Sequence, residues 1–266
     1  MERIKEAMQR ARAAAQGRTR TGRPVAGTVA PEEPAISYSQ TRVVQIDPRH
    51  LRRQRLLTGS GDGPAEPAYK ILRTQVLQRL AANGWNALAV TSPGPGQGKS
   101  LTAANLAISL AREVHYTVLL VDLDLRKPAL HRLFGISPQA GIGDCLTRGT
   151  PLSEALVNPS IERLVLLPGR EPLGNSSELL ASPRMAQLVD ELKNRYPSRI
   201  VIFDLPPLLA ADDTLAFSPY VDAALLVVEE GGTPREDVEQ ALQLLKQTRL
   251  LGTVLNKASL QRPAYA

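Results

Sequence analysis

Short apolar runs alternate with amphipathic stretches through most of this chain. NALAVTS, YTVLLVD, RLVLLPG, SRIVIFD, VDAALLVVEE and LGTVLN are rich in Val, Leu and Ile on consecutive positions, as in strands covered on both faces. Between them, recurrence at helical spacing predicts helices over about 68–82, 99–113, 177–196 and 234–248. Strands separated by helices specify an α/β fold with a doubly wound, mainly parallel sheet. In such sheets ligands sit beyond the carboxyl ends of the strands. The residues that follow LAVTS, LLVD and VIFD are therefore the ones to read for chemistry.

The N-terminal part follows a different pattern. Ile4, Met8, Ala11 and Ala15 recur at helical spacing among basic residues, which predicts a short amphipathic helix. Residues 17–35 are rich in Gly, Pro, Thr and Arg and read as a flexible linker. SYSQTRVVQID reads as a short strand. Residues 1–60 hold 12 Lys/Arg against 5 Asp/Glu, whereas 61–266 hold 20 against 21. The basicity therefore belongs to the arm, whose charge suits anionic lipid or nucleic acid, or a solvated linker. The resulting organisation is a basic extension over 1–60, an α/β domain over 61–258 and a short tail over 259–266. One cysteine, Cys145, excludes an internal disulfide framework. No apolar run approaches the roughly 18 residues of a membrane span, and the N-terminus lacks a signal-peptide core. A cytoplasmic protein is expected.

Chemistry enters with TSPGPGQGKSLTAANLA, between a strand and a helix. Gly94, Gly96 and Gly98 let main-chain N–H groups converge on phosphate oxygens without Cβ interference. Lys99 is placed to reach the β- and γ-phosphates and Ser100 to ligate Mg²⁺, and the helix that starts there turns its positive end toward the anion. The first glycine of the general G-x-x-x-x-G-K-[ST] pattern is replaced by Pro93. VLLVDLDLRKP then sets Asp122 and Asp124 at the end of the next strand, two residues apart, so both carboxylates can face the phosphate site. IVIFDLPP adds Asp204, where a strand-end aspartate holds Mg²⁺ directly or through water. Two aspartates in DLD exceed what a metal site needs. One can accept a proton, as a tyrosine hydroxyl requires before it attacks a γ-phosphate near neutral pH.

These motifs resemble the bacterial protein-tyrosine kinase family (BY-kinases) of capsule and exopolysaccharide synthesis. The resemblance covers about residues 66–256 and includes SPGPGQGKS, LLVDLDLRKP, NSSELLASPRM, IVIFDLPP and LGTVLN. It implies a P-loop NTPase fold of ParA/MinD-like architecture, with ATP and Mg²⁺ as cofactors. Gly94, Gly96, Gln97, Gly98, Lys99, Ser100 and Leu101 would form the nucleotide loop. Lys99, Asp122 and Asp124 would be catalytic, and Ser100, Asp122, Asp124 and Asp204 would surround the metal. Asn256 would sit at the adenine base. The implied partner is a transmembrane polysaccharide co-polymerase, the chain-length determinant, which would recruit the protein peripherally to the membrane. No nucleic-acid partner is expected. The alternatives are a non-catalytic ATP-dependent switch that gates such a partner and a ParA/MinD-type positioning ATPase. The signature lysine of the latter class falls on Gly94 here.

The chain departs from the family in two places. The oligomerisation pattern E-x-x-R-x-x-R falls on Pro67, Lys70 and Arg73, with Glu66 one place early, so a ring-forming homo-oligomer is left open. The usual terminal tyrosine cluster is reduced to Tyr265, with Tyr38 the next acceptor candidate. Among weaker features, Asn175 and Glu178 have capping-box spacing and are read as structural. Arg126 and Lys127 either stabilise transferred charge or are solvated. His115, His131 and Cys145 lack metal-ligand spacing.

Overall fold

Side chains on a strand alternate between faces, and here that alternation divides one sheet between two cores. The computed structural model describes residues 41–58, 65–196 and 198–259. The helix expected near residues 4–15, the linker, Tyr38 and Tyr265 lie outside the described residues. In chain order the elements are β1 (Arg42–Val43), α1 (Pro48–Arg53), α2 (Glu66–Asn83), β2 (Ala87–Thr91), α3 (Lys99–Ala111) and β3 (Thr117–Asp122). After these come α4 (Leu130–Phe134), α5 (Ile142–Arg148), α6 (Leu152–Ala155), β4 (Val157–Asn158) and β5 (Leu164–Leu167). The chain continues with α7 (Ser176–Leu180), α8 (Pro183–Asn194), β6 (Arg199–Asp204), α9 (Asp213–Phe217), β7 (Ala223–Glu229), α10 (Arg235–Leu244) and β8 (Leu250–Asn256).

The sheet order is β1-β4-β5-β3-β6-β2-β7-β8. Every pairing is parallel except β4 with β5. Leu88, Val90, Leu120 and Ile202 pack on one face with α3 residues such as Leu106 and Leu110. Ala89, Val121, Val201 and Phe203 pack on the other with Ile142, Met185 and Phe217. The Ala-rich α3 is buried along most of its length, enclosed by strands beneath and by neighbouring helices above. That position fixes the start of α3, and the loop before it, against the sheet.

The helix expected over 177–196 is divided. Ser182 caps α8 by accepting from Met185 N at 3.2 Å, and Pro183 occupies the first turn, so the chain restarts there rather than continuing. Asn175 stands at the N-cap of α7 but its side chain makes no capping bond, so the capping box does not form. Residues 42–57, placed in the extension by the sequence pattern, contribute the edge strand β1 and the buried Leu51, Leu56 and Leu57. An arginine-rich helix of six residues is too short to show a period. α4, α5, α6 and α9 escaped notice for the same reason.

Glu66, only 2% exposed, accepts from Arg112 Nη1 at 2.6 Å and Nη2 at 3.0 Å. Arg112 holds its carboxyl below the usual range against the opposing effect of burial. Glu66→Ala is expected to destabilise the domain by roughly 3 kcal/mol, because Arg112 loses a buried partner. Since the folded pKa is the lower one, this stabilisation is complete above the unfolded carboxyl's pKa and fades as pH falls through the folded value. Denaturant melts at pH 7 and in acid check both statements.

Candidate active site

Three strand ends meet the phosphate loop. β2 delivers the loop itself, and α3 begins at Lys99, so the loop spans the gap between a central strand and a buried helix. Gly96 and Gly98 have φ of 78° and 91°, a left-handed backbone that glycine adopts without strain. A Cβ on Gly98 would also collide with the side-chain amide of Asn256. Ser92 Oγ donates to Gly94 O at 2.7 Å and closes the base of the loop.

Gln97 is turned inward. In the amide orientation that satisfies its neighbours, it donates to Val227 O (3.2 Å) and accepts from Thr233 Oγ1 (3.0 Å) and Gly94 N (3.3 Å). Asn256, at the end of β8, donates from Nδ2 to Gln97 O at 2.9 Å. Both side chains brace the loop from behind, and a phosphate could meet only the main chain of Gln97.

The parallel register of β3 and β6 sets Asp122 directly beside Asp204. Asp122 Oδ2 accepts from the main-chain N–H groups of Ala129 and Leu130, each at 2.9 Å. Its Oδ1 is buried without a hydrogen-bond partner, as are both oxygens of Asp204. Asp124 Oδ1 accepts from Lys127 N at 3.1 Å, and its Oδ2 accepts from Lys99 Nζ at 2.9 Å. Lys99 is also 3.6 Å from Asp204 Oδ1 and donates to Ser100 Oγ at 3.2 Å. Burial pushes the Asp122 carboxyl up to about 7, helped by the charge of Asp204 and opposed by the Leu130 and Ala129 amides. Burial likewise raises Asp204 despite the attraction of Lys99. Burial pulls Lys99 down, but the charges of Asp204 and Asp124 outweigh it and hold the ammonium above its ordinary value.

A cavity of about 470 Å³ opens onto this cluster, lined by Lys99, Ser100, Leu101, Asp124, Pro206 and Pro207 among others. The donors are all oxygens, from Ser100 and the aspartates, which suits a hard divalent cation. Among the described residues, no three His, Cys, Asp or Glu side chains converge as a complete metal cage. Mg²⁺ does not need one, since it binds through one or two carboxylates together with waters and phosphate oxygens. The buried, unpartnered oxygens of Asp204 and Asp122 fit that requirement.

The family described as the CobQ/CobB/MinD/ParA nucleotide binding domain matches residues 88–263. Tyrosine-protein kinase YwqD of Bacillus subtilis is 33% identical over 196 residues, 73% of this chain and 81% of that protein. The chain belongs to the bacterial protein-tyrosine kinase family. The succinoglycan biosynthesis transport protein ExoP of Rhizobium meliloti is 35% identical over 188 residues, covering 69% of this chain and 24% of ExoP. The crystal structure of the chimerical protein CapA2B2 superposes with a TM-score of 0.71 at 28% identity, covering 82% of this chain and 94% of that one.

Within this family frame, Glu66 is engaged by the chain's own Arg112, while Ile71 on the same helix is 62% exposed. One residue of the site had no sequence signal. Asp213 is fully buried and accepts from Ser176 Oγ at 2.7 Å and from Arg126 Nε at 2.7 Å. Arg126 is thus paired, although its side chain remains 43% exposed. Cys145 is buried, its thiol pushed up to about 11 by desolvation, which leaves it inert. Among the described residues no helix is long and apolar enough to cross a membrane.

Proposed function

We propose that this protein is an ATP- and Mg²⁺-dependent protein-tyrosine kinase that regulates exopolysaccharide or capsule synthesis or export. One observation carries the reading: Asp122 and Asp204 stand side by side with different surroundings. Asp122 is anchored through Oδ2 by two amides, with Oδ1 left to accept. Asp204 has no hydrogen bond to either oxygen and faces the Lys99 ammonium, 3.6 Å from Oδ1. A metal site alone would not need the anchored neighbour.

In this scheme the loop amides around Gly94, Gly96 and Gly98 cradle the phosphates, and Lys99 turns from Asp124 toward the β- and γ-phosphates. Ser100, Asp204 and Asp124, with Asp122 beside them, would hold Mg²⁺. Held there, Mg²⁺ would supply charge neutralisation at the transferring phosphoryl oxygens. The acceptor hydroxyl passes its proton to Asp122 as its oxygen bonds to the γ-phosphorus and the bond to the ADP oxygen breaks. Leu101, Pro206 and Pro207 line the mouth with apolar surface and limit access of water. Asn256 keeps Oδ1 for the adenine side while its Nδ2 braces Gln97.

ExoP, named a transport protein, carries the matching segment within a longer chain. We therefore assign as partner a separate transmembrane polysaccharide co-polymerase that recruits this protein from the cytoplasm. The test is incubation of the purified protein with Mg·ATP and the cytoplasmic tail of that partner, read by phosphotyrosine mass spectrometry. Phosphotyrosine at Tyr265, Tyr38 or the partner's tail supports the kinase. ATP binding without any phosphotyrosine would leave the protein an ATP-dependent switch.

A further inference from the structure

The loop between β3 and α4 carries Asp124 and, through two amides, orients Asp122. At its start the loop is tied by Leu123 N donating to Asp204 O at 2.9 Å; further along, it is held by Arg126. Its Nε donates to Asp213 Oδ2 at 2.7 Å and its Nη2 reaches Asp213 Oδ1 at 3.4 Å. Asp213 is fully buried at the start of α9, and the hydroxyl of Ser176 on α7 donates to it as well. The next residue, Thr214, donates to Pro206 O at 2.8 Å, and Thr91 at the end of β2 donates to the same oxygen at 2.7 Å. Leu173 N donates to Leu125 O at 2.8 Å, beside the arginine. α9 and the end of β2 thus both grip the loop after β6, and Arg126 ties the loop after β3 to the same short helix.

We propose that Arg126 is a positioning residue: by pairing with Asp213 it staples the Asp122–Asp124 loop to the Asp204 loop and keeps the three carboxylates in register. The pair is well suited to this. A bidentate guanidinium–carboxylate contact fixes direction as well as distance, and a buried carboxylate already held by a serine hydroxyl cannot follow a moving arginine. Asp212, 3.7 Å from Arg126 and exposed, adds attraction but little constraint, since an exposed contact at that distance is weak. The arginine also lines the cavity beside Lys99 and Asp124, so a shift of its loop moves the walls of the site directly.

The kinetic part of the test rests on the kinase reading; the first part does not. The amides of Lys127, Ala129 and Leu130 are the donors to Asp124 and Asp122, so their hydrogen exchange in the nucleotide-free protein reports whether the loop is held. In Arg126→Met these three amides are expected to exchange at least about tenfold faster, with the amides of β3 and β6 unchanged. Asp213→Asn should do the same, and the double variant should be no worse than either single one, as for residues acting through one contact. Arg126→Lys, which keeps one charged donor, should recover part of the protection. In phosphotransfer, Arg126→Met should lower kcat about tenfold or more with ATP KM nearly unchanged, the mark of misplaced groups rather than lost binding.

Unchanged exchange at the three amides overturns the proposal. So does exchange that accelerates equally in β3 and β6, which would make Arg126 a contributor to global stability only. If the wild-type protein transfers no phosphate, the kinase reading fails, and the exchange pattern still decides the role of Arg126.

Discussion

Lys99→Met is expected to weaken ATP binding by about 3 kcal/mol, or about 100-fold, the scale of removing one partner from a buried charged contact. The domain should remain folded. Lys99 is 9% exposed at the first residue of α3, and methionine keeps its length and helix propensity. Its ammonium lies among Asp124, Asp204 and Ser100. Without it, buried carboxylates face one another with no cation between them. Burial already raises Asp122 and Asp204, so in the variant these groups can take up protons rather than unfold the site. Two effects then act on ATP together: the phosphates lose their cation, and an anionic ligand meets less well compensated acids. Calorimetric titration with ATP measures the loss, and circular dichroism checks the fold. Wild-type affinity in Lys99→Met would remove the phosphate-loop assignment altogether.

The six apolar runs read from the sequence all became strands of the sheet, because a strand buried on both faces needs consecutive apolar residues and few other structures do. Helices with a long periodic face were also legible, α2 and α3 among them. Boundaries failed where capping chemistry overrode period. Ser182 and Pro183 restart a helix that periodicity would carry through, and Asn175 has the spacing of a cap but not its geometry. The edge strand β1 falls within the short strand read in SYSQTRVVQID, whereas the six-residue α1 offered too few positions for any period to show.

The site divides along a similar line. Lys99, Ser100, Asp122, Asp124 and Asp204 could be placed together because each follows a strand end or the loop next to one, and parallel topology brings strand ends to one edge. Their support could not. Asp213 is 87 residues from Arg126 and 37 from Ser176, and no local pattern joins positions that far apart. Gln97 and Asn256 were legible as members of the site but not in their orientation, since only the packed loop shows that both brace its rear.

Asp122→Asn is expected to reduce phosphotransfer by more than about 100-fold, the usual scale of a general base, while ATP binding stays measurable. Asparagine nearly matches aspartate in shape, so the position next to Asp204 is retained. An oxygen can still accept from Ala129 and Leu130, as Oδ2 does now at 2.9 Å. The amide nitrogen then occupies the place of the unpartnered Oδ1, where it can donate but cannot take a proton from an incoming hydroxyl. The loss should therefore fall on kcat rather than on ATP affinity. Asp204→Asn should differ in kind: with neither of its oxygens hydrogen-bonded, it should raise the Mg²⁺ concentration needed for activity, and excess Mg²⁺ should recover part of the rate. Single-turnover transfer to a tyrosine peptide over a Mg²⁺ series, alongside calorimetry with ATP, separates the two variants. An Asp122→Asn protein that transfers phosphate at the wild-type rate would mean that the hydroxyl proton leaves by another route, and Asp122 would then be a structural neighbour of Asp204 rather than the base.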